Sequence, residues 1–406
     1  MGVSSFISSR LLRSRSESAK SETTLTGVSM FAIALGMAVM TISIVVVTGF
    51  KREIETKIRG FGSDIRVAAF GSDNPYDEQP IDAVAIKQKL SQVKGIRNVQ
   101  SYATKAGIIK TETEIQGVLL KGVDQHYDLS FIEKHLVAGK LPTRNDSMAI
   151  KEVVISSGLS SMMRINTGDT ITVYFIEDPP RVRKIRISGV YNTGLGEFDR
   201  LYGFCDIGLI RKLNNWEQSE SGGLEIVIDQ GRDVELLTEE IGSKIGFQYQ
   251  ATSIHQQYPQ IFQWLDLQNV NVVIIITLIL AVSGVSMVST LLIIILNRTR
   301  MIGLLKALGA NDQLIRNVFI RLSLPIIIKG LLLGNIIGLG LCWLQYQFGL
   351  IKLPEESYYV SKVPVHFSLV DLSLLNLGTL VICILMLLGP SMIISGIRPS
   401  KTLRFD

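Results

Sequence analysis

The side chains most often recruited for metal or nucleophilic chemistry are scarce and scattered in this chain. Its histidines are His126, His135, His255 and His366, and its cysteines are Cys205, Cys342 and Cys383. No two of them stand at a metal-ligand spacing, so no metal site is expected. Cys342 and Cys383 fall in apolar stretches and Cys205 stands alone, which leaves no disulfide framework. No Gly-x-x-x-x-Gly-Lys-Ser/Thr loop is present to cradle nucleotide phosphates, and no Gly-x-Ser-x-Gly elbow to expose a nucleophile. The expectation is a non-catalytic chain that holds no cofactor of its own. The spacing that does carry information is amphipathic: Asn297-Arg-Thr-Arg-Met-Ile-Gly-Leu-Leu-Lys-Ala-Leu-Gly-Ala310. On a helix, Met301, Leu304, Leu305 and Leu308 gather on one face, with Arg298, Arg300 and Lys306 towards water or headgroups. Gly309 can close that helix in the left-handed conformation, and Asn311 or Asp312 can cap the next. Such a helix can lie on lipid or press into a groove of a soluble partner, and the pattern permits both.

This segment sits between two of four apolar stretches, at 24–50, 270–296, 322–346 and 369–395. Each exceeds the roughly 20 residues needed to cross a bilayer core. The composition agrees: 47% hydrophobic and 19% charged over 406 residues, with a mean hydropathy of +0.32. That is too apolar for one soluble domain and too charged for a chain wholly in lipid. Four spans put both termini and the 297–321 segment on one side. That side carries Arg10, Arg13, Arg15, Lys20, Arg298, Arg300, Lys306, Arg316, Arg321, Arg398, Lys401 and Arg404, so the positive-inside rule makes it cytoplasmic. Topology thus accounts for the basic clusters, and nucleic-acid binding is not expected.

The fold class expected is an α-helical membrane protein with four transmembrane helices and a large α+β periplasmic domain at 51–269. That domain opens on a charged helix leaving the first span. Strands are predicted at Asp64–Phe70, Gln100–Lys110, Glu114–Asp124, Glu152–Ser156, Ile171–Ile176, Arg181–Val190 and Leu224–Asp229, and a helix at Ile81–Val93. Gln257–Leu267 reads as a stalk helix into the second span. Residues 1–23 read as a short amphipathic cytoplasmic helix, 347–368 as a periplasmic loop and 396–406 as a cytoplasmic tail. In the third span Gly330, Gly334 and Gly338 repeat at four-residue spacing, which lets another helix backbone approach closely. Lys329 can snorkel to the interface, Pro325 can kink the third span and Pro390 can break the fourth. No acidic chain runs through the spans, which argues against proton-coupled transport.

Met301-Ile-Gly-Leu-Leu-Lys-Ala-Leu-Gly-Ala310 resembles the cytoplasmic coupling segment of permeases that work with a separate ABC-type ATPase. One span, a large ectodomain and three further spans match the superfamily of macrolide-exporter, cell-division and lipoprotein-releasing permeases. Three patches resemble its lipoprotein-releasing (Lol-type) members: Val47-Thr-Gly-Phe50, Leu353-Pro-Glu-Glu-Ser-Tyr-Tyr359 with Val363-Pro-Val365, and Arg398-Pro-Ser-Lys-Thr-Leu-Arg404. Two departures stand out. Such coupling segments often carry an acidic residue where this chain has Met301. The place of the carrier-receiving hairpin hook, about Glu177–Arg183, is short.

The resemblance implies a permease in the inner membrane of a Gram-negative bacterium, paired with a second copy or paralogue. An ABC ATPase would bind ATP and Mg and dock on Arg298, Arg300, Met301, Gly303, Leu304, Leu305, Lys306, Leu308 and Gly309. Acyl chains of a lipoprotein would meet Met37, Met40, Ile44, Val47 and Phe50 on the first span, and Phe262 and Leu265 on the stalk. A periplasmic carrier would receive the cargo. Competing readings keep the mechanics but regulate a periplasmic hydrolase or an exporter, or make the chain a membrane-anchored sensor or enzyme.

Overall fold

The structure is a computed structural model. It describes residues 19–72, 78–111, 114–145, 150–175, 177, 179–229 and 231–391, with the side chains of 19–26, 197, 356–357 and 391 excepted. The expected N-terminal amphipathic helix, apart from its last residues, lies outside the described residues. So do the C-terminal tail, Ile176 and Asp178. Contacts divide the chain into two units. A membrane unit takes in the described residues up to Lys51, Trp264–Ile351 and those from Lys362 onward. A periplasmic unit takes in Arg52–Gln263 and Lys352–Ser361.

Four helices are long and apolar enough to cross a membrane. They run Ala19–Phe61, Pro259–Asn297, Asp312–Phe348 and Leu369–Ser391. A helix is the natural form for such segments, because lipid offers no partner to an unpaired backbone amide. The second has 39 residues, about 60 Å at ~1.5 Å per residue, far beyond a bilayer core of ~30 Å. The charged extension of the first span and the stalk before the second are therefore not separate helices but parts of these elements. Pro325 stands inside the third helix and Pro390 inside the fourth, so the expected break at Pro390 does not occur before Ser391.

Within the membrane unit the third helix packs on the first. A Cβ added at Gly334 would meet Ala34 O and Met37 Cβ at 2.5 Å, and one at Gly330 would meet Ile33 at 2.8 Å. Gly338 faces Ala38 and Thr41 in the same way. The expected close-packing face is thus used, against the first span. The first helix also receives the second at Gly36, beside Ile279 and Ser283, and through a Ser29–Thr290 hydroxyl hydrogen bond. Asn335 Nδ2 donates to Asn376 Oδ1 at 2.6 Å, joining the third helix to the fourth.

The periplasmic unit is built on β1 (Ile65–Ala69), β2 (Ile81–Asp82), β3 (Ile96–Lys110), β4 (Ile115–Val123), β5 (Leu136–Gly139), β6 (Glu152–Ser156), β7 (Thr170–Phe175), β8 (Arg181–Tyr191), β9 (Tyr202–Asp206), β10 (Glu220–Ser221), β11 (Gly223–Ile228) and β12 (Tyr249–Ser253). The main sheet is ordered β12-β1-β11-β3-β4-β9-β6-β8-β5, with β7 bridging β3 and β8. It is mostly antiparallel, with β4–β9 and β6–β8 parallel. Ile81–Val93 was expected to be one helix. It begins instead as β2, and Asp82 then caps the helix Ala83–Leu90 by accepting from Val84 N and Ala85 N.

Strand alternation sorts the sheet into two faces. Ile65, Val67, Leu224 and Ile226 pack under the helices Ala83–Leu90 and Val234–Ile245. On the opposite face Thr252 opposes Arg66, Arg66 opposes Glu225, and Glu225 opposes Gln100. Lys121 Nζ lies 2.7 Å from Glu225 Oε1, both side chains being under 10% exposed, and also donates to Phe61 O at 3.1 Å. Tyr127 donates to Glu225, and the Tyr102 and Tyr127 rings flank the Lys121 ammonium at 5.5 and 5.3 Å. An ion pair this dry holds only because further hydrogen bonds and aromatic faces replace lost water. Beside it, burial pushes the Glu78 carboxyl up to about 7.

Two outcomes are expected. Gly334→Leu lowers the melting temperature of the detergent-solubilised chain, at a cost of about 1–3 kcal/mol from overpacking. Gly340→Leu, which meets nothing within 4 Å, leaves it unchanged. For Glu78, the native state keeps a proton that the unfolded chain releases, so stability falls as pH rises from about 4.5 to 7. Glu78→Gln removes that slope and stabilises the protein above about pH 7 by ~1–3 kcal/mol, read from melts across pH.

Candidate functional site

The short helix Thr299–Ala307 follows the second long helix almost directly. Its end is a Schellman turn. Gly309, at φ +90°, donates to Lys306 O at 3.0 Å, and Ala310 N donates to Leu305 O at 2.9 Å. Asn311 then caps the third long helix, accepting from Leu314 N at 2.9 Å. Lys306 in the last turn meets Asp312 in the first turn of the next helix at 2.8 Å. Each charge sits at the helix end whose dipole it suits. The joint is therefore an angular connector with fixed ends.

The single apolar face expected here is split. Ile302 is fully buried in a cluster with Ile295, Ile315 and Phe319, and Gly303 is buried beside it. Met301 and Leu305 pack half-buried against that cluster. Leu304 is 53% exposed and Leu308 76% exposed. Arg300 is exposed, Arg298 is half-buried, and Lys306 is turned to Asp312 rather than to water. The reason is that the bundle claims position 302, which rotates 304 and 308 outward at one-turn spacing. Sequence reading missed Ile302 because it stands between two plausible faces.

The candidate acyl-contacting residues occupy different settings. Met37 and Met40 are fully buried in the membrane-unit core, with Ile44 packed half-buried against it. Val47 is half-buried, and Phe50 meets Trp264 edge to face at 6.5 Å. Leu265 is buried. Phe262 belongs to the periplasmic unit, where its ring meets His255 at 4.3 Å. Large apolar side chains stand open on all four long helices, among them Phe31, Leu35 and Val39 on the first, Ile274, Leu278 and Val282 on the second, Ile336 on the third and Leu374 on the fourth.

Two sequence patches singled out above come together in the membrane unit. His366 N donates to Val45 O at 3.2 Å, and Gly49 lies where a Cβ would meet Pro364 O at 2.6 Å. The Leu353–Tyr359 patch has its own role in the periplasmic unit. Tyr359 adopts φ +58°, and its carbonyl accepts from the buried Lys57 Nζ at 3.0 Å. The same ammonium donates to Thr193 O at 2.7 Å. Asp199 holds the Thr193–Gly194 turn by accepting from both backbone amides at 3.0 Å, although burial pushes its carboxyl above the ordinary range. Lys57 thus ties the end of the first long helix to a loop 302 residues away. No local pattern could reveal that partner. Among the described residues no cluster of His, Cys, Asp or Glu could hold a metal ion.

Comparison with known proteins covers nearly the whole chain. Residues 26–244 match the MacB-like periplasmic core domain, and 273–399 match the FtsX-like permease C-terminal domain. The lipoprotein-releasing system transmembrane protein LolC of Xylella fastidiosa is 22% identical over 93% of each chain. The corresponding LolE protein of Haemophilus influenzae is 19% identical over 92% of this chain and 93% of its own. The crystal structure of the periplasmic region of MacB from Actinobacillus actinomycetemcomitans aligns at a TM-score of 0.35 and 18% identity, over 52% of this chain and 95% of that one.

Lys57→Met is expected to leave two buried carbonyls without their donor, a loss of about 1–3 kcal/mol. Amide exchange of residues 353–361 should then quicken by tenfold or more, while exchange in β6 and β8 stays slow.

Proposed function

Because this chain belongs to the FtsX-like ABC transporter permeases of Lol type, with a MacB-like periplasmic core domain, we propose that it couples a separate ATPase to the extraction of lipoproteins from the inner membrane. The observation that carries the reading is the short helix Thr299–Ala307. Its inner side is anchored by Ile302, and Leu304 and Leu308 stand open beside Arg300. Two exposed leucines one turn apart suit a shallow apolar groove. Burying each is worth about 1.5–3 kcal/mol. With Met301 half-buried at the place where relatives often carry an acid, the contact with the ATPase is apolar and not a salt bridge.

In this reading the ATPase binds ATP and Mg and lies in the cytoplasm with both termini of this chain. Two permease chains, identical or paralogous, and two ATPases form the working unit. Movement of the 297–312 connector is passed on by the second and third long helices, which it joins directly. Acyl chains meet the open apolar side chains of the first and second helices, with Ile44, Val47 and Phe50 nearby. Each acyl CH₂ is worth about 0.8 kcal/mol in lipid, so removal is steeply uphill and requires the motor. A periplasmic carrier then takes the lipoprotein. The β7–β8 turn, where Glu177 pairs with Lys105 at 2.5 Å and with Arg181 at 2.9 Å, is short for a protruding hook, so carrier capture falls to the partner chain where that chain is a paralogue.

The double variant Leu304→Asp/Leu308→Asp is expected to lose ATPase co-purification and lipoprotein release in proteoliposomes, with an unchanged melting temperature. Release at the wild-type rate would sink the docking role. Ile302→Asp should instead destabilise the membrane unit itself.

A further inference from the structure

A cleft of about 570 Å³ opens on the polar face of the sheet at the β1–β12 edge. That is the size of a small-molecule site, ~300–1,000 Å³. Arg66, Ser72, Gln250, Thr252, Gln256 and Tyr258 line it. Most of the lining is polar, with Ala68 and Ala69 between these side chains, so an acyl chain would leave many polar groups unmatched there. Behind it lies a chamber of about 40 Å³, walled in part by the same Arg66 and Tyr258 and reaching Glu78, Tyr102, Lys121 and Glu225.

Among the described residues, three buried polar atoms of this wall make no hydrogen bond of good geometry: Glu78 Oε1, and Arg66 Nε and Tyr102 Oη, whose side chains lie next to each other. Their other valences are occupied. Arg66 Nη2 donates to Ser72 O at 3.0 Å, and Glu78 Oε2 accepts from Thr104 N at 2.6 Å. Gly222 leaves the room that the Glu78 carboxyl fills. Leaving such atoms unpaired is costly, so they call for a group that completes them. Arg66 only donates, Tyr102 does both, and Glu78 accepts when ionised and donates when it keeps its proton. A hydroxyl group matches that set, since it donates and accepts at one oxygen. Charge narrows the choice further. An anion would face Glu78 and Glu225, and a cation would face Arg66 and Lys121, so the walls favour neither.

We propose that this cleft binds an uncharged, hydroxyl-rich ligand, a short oligosaccharide, with one hydroxyl seated in the chamber among Arg66, Glu78 and Tyr102. The site stands apart from the lipoprotein-handling role and does not rest on it.

The test uses the full chain in lipid nanodiscs, with empty nanodiscs as blank. N,N′-diacetylchitobiose and maltose are titrated by calorimetry and saturation-transfer NMR, beside a Gly-Ser hexapeptide and inorganic phosphate. Saturable binding of a saccharide is expected. Tyr102→Phe and Glu78→Gln should each weaken it about tenfold, the equivalent of one lost hydrogen bond. Gln250→Ala, on the open wall, should weaken it with an unchanged melting curve, which separates recognition from folding. The proposal is overturned if neither saccharide binds and the chamber holds only water, if Gln250→Ala binds as well as wild type, or if only the peptide or phosphate saturates.

Discussion

The approach of two helix backbones at Gly330, Gly334 and Gly338 is the constraint on which the membrane unit depends. Lipid gives helices no hydrophobic reason to associate, so packing and hydrogen bonds must hold them together. Glycine at these positions lets the Ala34 and Ala38 carbonyls and the Met37 side chain come within van der Waals reach of the third helix. The first helix is then held between the second and third, the latter tied to the fourth by Asn335 and Asn376. With the bundle set in this way, Ile302 has a fixed hole to fill, and Leu304 and Leu308 have no choice but to face outward.

The periplasmic unit obeys a different constraint. At the β12-β1-β11 end its sheet buries one face beneath two helices in the ordinary apolar manner, and carries charges and tyrosines beside an aromatic cluster on the other. Lys121 and Glu225 are held there by Phe61 O, Tyr127 and surrounding rings. Such a network is weak evidence for stability, since removing two charges from water costs several kcal/mol per ion. Its incomplete pairing at Arg66, Glu78 and Tyr102 is better explained by a ligand than by folding. Lys57 makes a second polar tie in this unit, closing a distant loop onto the end of the first long helix.

Together these features describe a division of labour. The sequence has no Gly-x-x-x-x-Gly-Lys-Ser/Thr loop, yet the chain has a capped connector with two exposed leucines. The chain belongs to a family of ABC transporter permeases, and in the proposed cycle the energy for movement of this connector comes from the separate ATPase. The open apolar side chains of the long helices suit lipid chains, whereas the mostly polar cleft beside β12 does not.

Much of this was legible in the residues. Four apolar runs, the glycine repeat, the Gly309 and Asn311 caps and most of the longer strands follow from period, length and local capping, which act over a few residues. The strands β9 and β12 were missed because their short runs lack clear alternation. The Ile81 segment was misread because Asp82 looked like a helix interior residue and is a cap. What the sequence by itself determined is where the chain crosses lipid and where it turns, because backbone pairing and burial of apolar runs are settled locally. Only the tertiary structure decided that Met37 is spent on packing, that Ile302 faces in while Leu308 faces out, and that Lys57 finds Tyr359. Each depends on a neighbour far along the chain, and distance in sequence carries no record of closeness in space.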